Sequence, residues 1–261
     1  MENKAFSNSQ IQTFKNCRRL YELKYRYCLE YAEPIECLEQ GSQYHECLEQ
    51  LLKGKEYEAQ NPKIQAMAKA FEKYVLPKLP EIADTEKWFE YATPHGNKII
   101  GRYDALSTDG TPIEHKTTSR TLDGEYLLSI ERDEQILTYL AASGKTQMYY
   151  TVCKKPTIRQ TKNESDEEFE HRLEAWYDTD TESKIGVITV IRAQEDIDEF
   201  LRAQDEVIEE IEHCKSYYKV PSMCYRYGRQ CEFAQICDHY NPELEYVNYK
   251  IKEDYRNVDL S

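Results

Sequence analysis

The sequence predicts an α/β fold built on a mixed sheet. Three observations carry that expectation. Apolar residues recur at helical spacing over the N-terminal part of the chain. The pattern then changes to short β-branched and aromatic runs punctuated by Gly-containing turns. Further on, helix-period and strand-period segments alternate, the arrangement that buries a sheet under flanking helices.

Taken in order, Ser7-Asn8-Ser9 precedes a helical run carrying Ile11, Phe14, Leu20, Leu23 and Tyr27, and a serine there is placed to cap it. A second helix over 38–53 has Leu38, Tyr44, Leu48, Leu51 and Leu52 on its apolar side, and a third covers 62–76. Trp88-Phe89-Glu90-Tyr91 reads as a strand, Pro94-His95-Gly96-Asn97 as a turn and 98–106 as the returning strand. Thr108-Asp109-Gly110 turns the chain into a third strand at 111–117, which completes an antiparallel meander. A helix at 131–142 and a strand at 147–153 follow. Residues 155–180 are polar and read as a surface insertion containing an acidic helix at 164–176. A β-branched strand at 185–191, a long amphipathic helix at 194–214 and a cysteine-rich tail from Pro221 complete the chain.

A chain of 261 residues fills one α/β domain or two small ones. The expectation is a single domain over 1–261, with a helical part at 1–80, a core at 86–215 and a tail at 221–240. With 40% hydrophobic and 31% charged residues the chain is globular rather than disordered. No run of about 18 apolar residues marks a membrane span. The first residues lack the apolar run of a secretory signal, so a cytoplasmic protein with no membrane partner is expected. In that reducing compartment the nine cysteines point away from disulfides and leave metal ligation or buried thiols.

The net charge of −14 argues against a polyanionic partner, yet the charge is segregated. Lys15, Arg18, Arg19, Lys24 and Arg26 lie together against one acid, Glu22, and residues 143–163 hold five bases and no acid. A basic track on an acidic body and two ordinary solvated faces both fit this distribution.

The chemistry concentrates on the meander. Asp104 sits in Gly101-Arg102-Tyr103-Asp104, and Glu114 and Lys116 in Pro112-Ile113-Glu114-His115-Lys116. Residues two apart on a strand share a face, so Glu114 and Lys116 project together, and the short turn brings Asp104 opposite them. Two carboxylates with a lysine suit a hard divalent cation that activates water, and they equally suit a cross-strand salt bridge.

Gly-Arg-x-Asp followed by Glu-x-Lys resembles the PD-(D/E)XK nucleases, particularly their RecB-like branch. Two further marks of that branch are matched by Gly41-Ser42-Gln43-Tyr44-His45 upstream and Gln135-Ile136-Leu137-Thr138-Tyr139 downstream. The resemblance implies a restriction-endonuclease-like core and a Mg²⁺ or Mn²⁺ ion held by His45, Asp104, Glu114 and the backbone carbonyl of His115. It makes Lys116 catalytic, with Gln135 and Tyr139 supporting the site. It implies DNA as substrate, cleaved from an end, with single-stranded DNA favoured, in a bacterial or phage-infected cell. Arg102, Arg18 and Arg19 are the candidate phosphate contacts. Tyr21, Tyr25, Tyr27 and Tyr31 either stack bases among those basic residues or belong to the core. A homo-oligomer and a recombination or repair partner both stay open.

Cys17 and the late group Cys224, Cys231 and Cys237 resemble the iron–sulfur members of this branch, among them CRISPR-adaptation and AddB-type nucleases. There, four thiolates hold a 4Fe–4S cluster that ties the two ends of the chain. The six residues between Cys224 and Cys231 depart from the family, in which the first late pair is usually closer. Zinc and buried free thiols remain the alternatives. Two other functions compete with the nuclease reading: a catalytically silent DNA-binding or adaptor protein with the same fold, and an iron–sulfur redox sensor.

Overall fold

The computed structural model describes residues 5–32, 36–59, 61–226, 229–237 and 248–252, with the side chains of Glu36, Cys37 and Leu38 outside that set. The chain opens with β1 (Ala5–Phe6) and α1 (Asn8–Asn16). Ser7 caps α1 as expected. Its hydroxyl accepts the Gln10 N–H at 3.2 Å and its own N–H donates to the Gln10 side-chain oxygen at 2.8 Å, satisfying two donors the helix would leave orphaned. The helix expected to continue through Tyr27 breaks at Cys17, whose backbone is extended. It restarts as α2 (Arg18–Tyr21) and runs into a π-turn at Glu22–Arg26.

Then come β2 (Leu29–Tyr31), α3 (Glu36–Leu52) and α4 (Pro62–Tyr74), the last begun by Asn61 as cap and Pro62 in the first turn. The meander forms as its turns dictate: β3 (Ile82–Ala92), β4 (Lys98–Ser107) and β5 (Pro112–Thr118). Gly96 and Gly110 occupy the turns at φ +84° and +80°, where a side chain would be strained. The helix expected at 131–142 is two, α5 (Gly124–Ile130) and α6 (Glu134–Ser143), capped separately by Asp123 and Asp133. β6 (Gln147–Lys154), α7 (Asp166–Asp178), β7 (Ile185–Ile191) and α8 (Gln194–His213) follow, then β8 (Tyr225–Arg226), β9 (Arg229–Gln230), α9 (Ala234–Cys237) and β10 (Tyr249–Ile251).

The described residues group into two compact units built from interleaved segments. The first draws on Met1–Ile35, Glu90–Gly101 and Asp198–Ser261, the second on Glu36–Phe89 and Arg102–Ile197. In the first unit β1 lies parallel to the start of β4, and β2 pairs antiparallel with β10. Phe6, Ile11, Phe14, Tyr21, Ile99, Ile208 and Ile211 form one core, and Leu23, Leu29, Phe233, Ile236 and Tyr249 a second. Tyr21 and Tyr25 therefore belong to packing, whereas Tyr27 is exposed.

The second unit holds the strand order β4–β5–β6–β7. The β4–β5 and β6–β7 pairs are antiparallel and the β5–β6 pair is parallel, so the sheet is mixed. Parallel neighbours need a crossover, and α5 and α6 supply it. Tyr44, Leu48, Ile64, Met67 and Phe71 from α3 and α4 pack with Cys153, Tyr177 and Ile185. Within 155–180 the expected acidic helix forms as α7 and packs one side inward. α7 buries Phe169, Leu173 and Tyr177, while Glu174 and Asp178 pair at 2.8 Å with Lys69 and Lys73 of α4. The result is a mixed α/β structure with helices flanking the sheet. Among the described residues no helix is long and apolar enough to cross a membrane.

Candidate metal centre

The centre lies wholly in the second unit, where β4 and β5 separate. Their ladder pairs Leu106 with Pro112 and Ala105 with Ile113. One step further, the N–H of His115 donates to Asp104 Oδ2 at 2.7 Å. A side chain thus takes the place of the backbone partner, and the strands diverge around it. Backbone N–H and C=O of one strand residue point to the same edge, so the His115 carbonyl also faces the β4 side.

Glu114 is 2% exposed and its Oε2 has no hydrogen-bond partner. Such an orphaned buried oxygen is costly unless a cation or donor completes it. Its Oε1 is ion-paired with Lys116 Nζ, so the two side chains share a face as the strand period predicts. Lys116 Nζ also donates to Gln135 Oε1 at 2.7 Å. Gln135 Nε2 donates to the Tyr139 hydroxyl at 3.0 Å, and that hydroxyl donates to the Arg102 carbonyl at 2.7 Å. The i, i+4 pair on α6 therefore forms a relay that fixes the lysine against β4.

His45, on α3, places Nδ1 3.5 Å from Asp104 Oδ1. Sequence reasoning missed the third member of this group. His45, Glu86 and Asp104 each present a ligand atom within 4.8 Å of the others. Glu86 stands in β3 at φ +54°, a left-handed conformation unusual for a non-glycine strand residue, and that conformation redirects its side chain. It pairs with Arg102 Nε at 2.7 Å, and the Arg102 guanidinium lies 5.8 Å from the centre of the Trp88 ring. Nothing in the local sequence marks Glu86, because a single glutamate on an alternating strand is ordinary.

The electrostatics separate the two carboxylates. Burial pushes the Asp104 carboxyl up, but the His45 hydrogen bond and the charges of His45 and His115, together with the His115 N–H, hold it well below the usual range. Burial and the neighbouring Asp104 charge push Glu114 up to about 7 against the pull of Lys116. Burial lowers His45, but Asp104 raises it further. The His115 ring, fully enclosed and hydrogen-bonded through Nδ1 to Thr151 Oγ1 at 2.8 Å, is pushed down to about 4 by burial. It is a core side chain.

The candidate phosphate contacts in the first unit have partners within it. Arg18 lies between the Phe14 and Tyr218 rings and pairs with Glu210 at 2.7 Å, and Arg19 pairs with Glu22 at 2.6 Å. In the same unit Cys17, Cys224, Cys231 and Cys237 line one cavity, floored by Leu23 and Phe233. None of the four is in a disulfide among the described residues. The helix break at Cys17 places it on this cavity, and the gap after Cys224 holds the antiparallel pair β8–β9. Tyr225 pairs with Gln230 and Arg226 with Arg229, and Cys231 N–H donates to the Cys224 carbonyl at 2.8 Å. That pairing brings Cys231 back beside Cys224 despite the sequence spacing. Cys47 and Cys153 are buried singly in the second unit, and Cys28 and Cys214 are half-buried.

A histidine, three carboxylates and a buried lysine gather at a fork in a mixed sheet, and His45, Glu86 and Asp104 among them form a candidate cation site in an α/β protein. The model of the PD-(D/E)XK nuclease superfamily matches residues 5–238. The chain belongs to that superfamily, and its mixed sheet with flanking helices is the restriction-endonuclease-like fold. Among solved structures it is similar to SSO0001, at 19% identity, covering 91% of this chain and 87% of that one, with a TM-score of 0.48. It is also similar to a phage-related exonuclease from Haemophilus somnus 129PT, at 15% identity, covering 67% and 82%, with a TM-score of 0.37. No curated protein matches the chain.

Proposed function

We propose that this chain is a Mg²⁺- or Mn²⁺-dependent deoxyribonuclease acting on single-stranded DNA or DNA ends, in the cytoplasm. The observation that carries the reading is the orphaned, buried Glu114 oxygen beside Asp104 and Lys116. Carboxylate and carbonyl oxygens fit a hard cation, and a histidine nitrogen is compatible with manganese. His45, Asp104, Glu114 and the His115 carbonyl would hold the ion, with Glu86 as an added carboxylate. When bound, the ion lowers the pKa of a water and neutralises charge gathering on the phosphate. Lys116 keeps its proton because Glu114 favours the ammonium despite burial. It therefore acts as a donor that orients the attacking water or the phosphate oxygen. Gln135 and Tyr139 position that ammonium through their relay.

Lys116→Ala and Asp104→Ala are each expected to lower cleavage of a single-stranded oligonucleotide by about 10²-fold or more, with EDTA abolishing cleavage by the wild type. Full cleavage by both folded variants would overturn the assignment. A silent DNA-binding protein would instead show metal-independent binding and no cleavage in the wild type.

For the four cysteines we propose a 4Fe–4S cluster. A zinc tetrahedron with Zn–S bonds of about 2.3 Å places its sulfurs about 4 Å apart. No three of these thiols gather that closely, since the one group of three candidate ligand atoms within 4.8 Å among the described residues is His45, Glu86 and Asp104. One cavity lined by four thiols supplies the four-cysteine ligand set that such a cluster takes. Anaerobic purification should give a coloured protein containing iron; a colourless one with stoichiometric zinc would replace iron–sulfur by zinc.

A further inference from the structure

A tryptophan facing water needs a reason, because its indole carries a large apolar surface that packing would otherwise bury. The chain has two tryptophans. Trp176 belongs to packing: the Lys184 ammonium lies 4.6 Å from its ring centre, and the Tyr177 ring meets it edge-on at 4.9 Å. Trp88 is 38% exposed. Among the described residues of the second unit, no other phenylalanine, tyrosine or tryptophan is exposed to that extent.

Its place is tied to the metal centre. Residues two apart on a strand share a face, which puts Arg102 beside Asp104 on β4. The Arg102 side chain reaches two groups of β3. Its Nε pairs with Glu86 at 2.7 Å, and its Cζ lies 5.8 Å from the Trp88 ring centre, within the range of cation–π attraction. Glu86 in turn presents a ligand atom within 4.8 Å of those of His45 and Asp104. Two contacts, ring to guanidinium and guanidinium to carboxylate, therefore separate the indole from a ligand of the centre. The next residue, Phe89, is buried and packs on Tyr103 and Tyr139 at 4.5 and 5.7 Å between ring centres. Successive strand residues point to opposite faces, so β3 holds one ring in the core and its neighbour in water beside the cation site.

A phosphate held by the cation brings its flanking bases with it. Inside a duplex both faces of a base are covered by its neighbours, whereas an unpaired base can lay one face on an aromatic ring. We propose that Trp88 is a base-stacking residue of this centre, taking an unpaired base of the strand whose phosphate the cation holds. This rests on the deoxyribonuclease reading and deepens it. Carboxylates around a cation recognise a phosphate in either a single strand or a duplex, and the indole supplies the physical reason for favouring the single strand.

The test uses the full chain carrying Lys116→Ala, with Mg²⁺ present, so that labelled oligonucleotides are bound while cleavage is suppressed. Adding Trp88→Ala is expected to lower affinity for a single strand about tenfold and to leave affinity for a duplex with hairpin-closed ends unchanged. Trp88→Phe, which keeps a ring, should recover most of the loss. A single abasic site moved along the strand should cost about tenfold at one position when Trp88 is present, and nothing there in the Trp88→Ala variant. That coupling is one a merely structural tryptophan would not produce. In a Trp176→Phe background the emission of the remaining indole should fall when the single strand binds. Equal loss for single strand and duplex, or no loss for either in a variant that melts like its parent, would overturn the stacking role. A wild type that neither binds nor cleaves DNA would instead remove the nuclease reading beneath it.

Discussion

Buried beside Asp104 with one oxygen unpaired, Glu114 has its carboxyl pushed up to about 7, first by burial and then by the Asp104 charge. The sign of the consequence follows. Between about pH 4.5 and 7 the folded chain carries a proton on Glu114 that the unfolded chain has lost. Without metal, Glu114 therefore makes stability fall as pH rises through that window. A cation bound there must displace the proton. Apparent Mn²⁺ affinity is expected to fall about tenfold per pH unit below about 7, with up to one proton released per ion, and to level off at higher pH. Calorimetry in buffers of different ionisation enthalpy counts that proton. Proton release that stays flat from acid to alkaline pH would take Glu114 out of the ligand set. At this scale the sequence was legible where period and order sufficed, as for Glu114 with Lys116 and Gln135 with Tyr139. Glu86 was not legible, because its place depends on a positive φ in the middle of a strand, which no residue pattern announces.

Among the elements, α7 separates what a helical pattern says from where the helix goes. Its acidic residues suggested a solvated insertion, but its apolar residues Phe169, Leu173 and Tyr177 recur every four positions and form a narrow buried stripe. The acids on its flanks meet lysines of α4. Leu173 is fully buried, so Leu173→Ala is expected to cost about 2–5 kcal/mol. A surface helix would lose about 0.5 kcal/mol at most, and urea denaturation distinguishes the two. The meander was legible because its turns are chemically explicit, with glycines where φ is positive. α5 was not. Its seven residues leave Leu127 and Leu128 exposed, so there was no apolar face to read. The break at Cys17 was equally hidden, since Phe14, Tyr21 and Leu23 are buried on either side of it and keep the apolar pattern running across the kink.

Across the whole molecule, the chain visits its two units by turns, and this bears on what the cysteines do. The first unit receives its opening segment and its closing segments from opposite ends of the sequence, with the second unit's residues mostly in between. Cys17 and the late cysteines all belong to the first unit. A group bound by all four would close a very long loop, a constraint on the unfolded chain that grows only slowly with loop length but is large in absolute terms. It would also hold the cavity beside Leu23, Phe233 and Ile236, a small core with few buried residues of its own. The second unit has a larger core around Leu48, Met67 and Phe71 that contains none of the four. Cys17→Ser should therefore act locally. Amide exchange is expected to accelerate strongly at Leu23, Phe233 and Ile236, together with loss of bound iron, while Leu48, Met67 and Phe71 keep their protection. Equal loosening of both cores would mean that the four thiols support the chain as one cooperative body. No loosening at all would mean that they bind nothing that stabilises the fold.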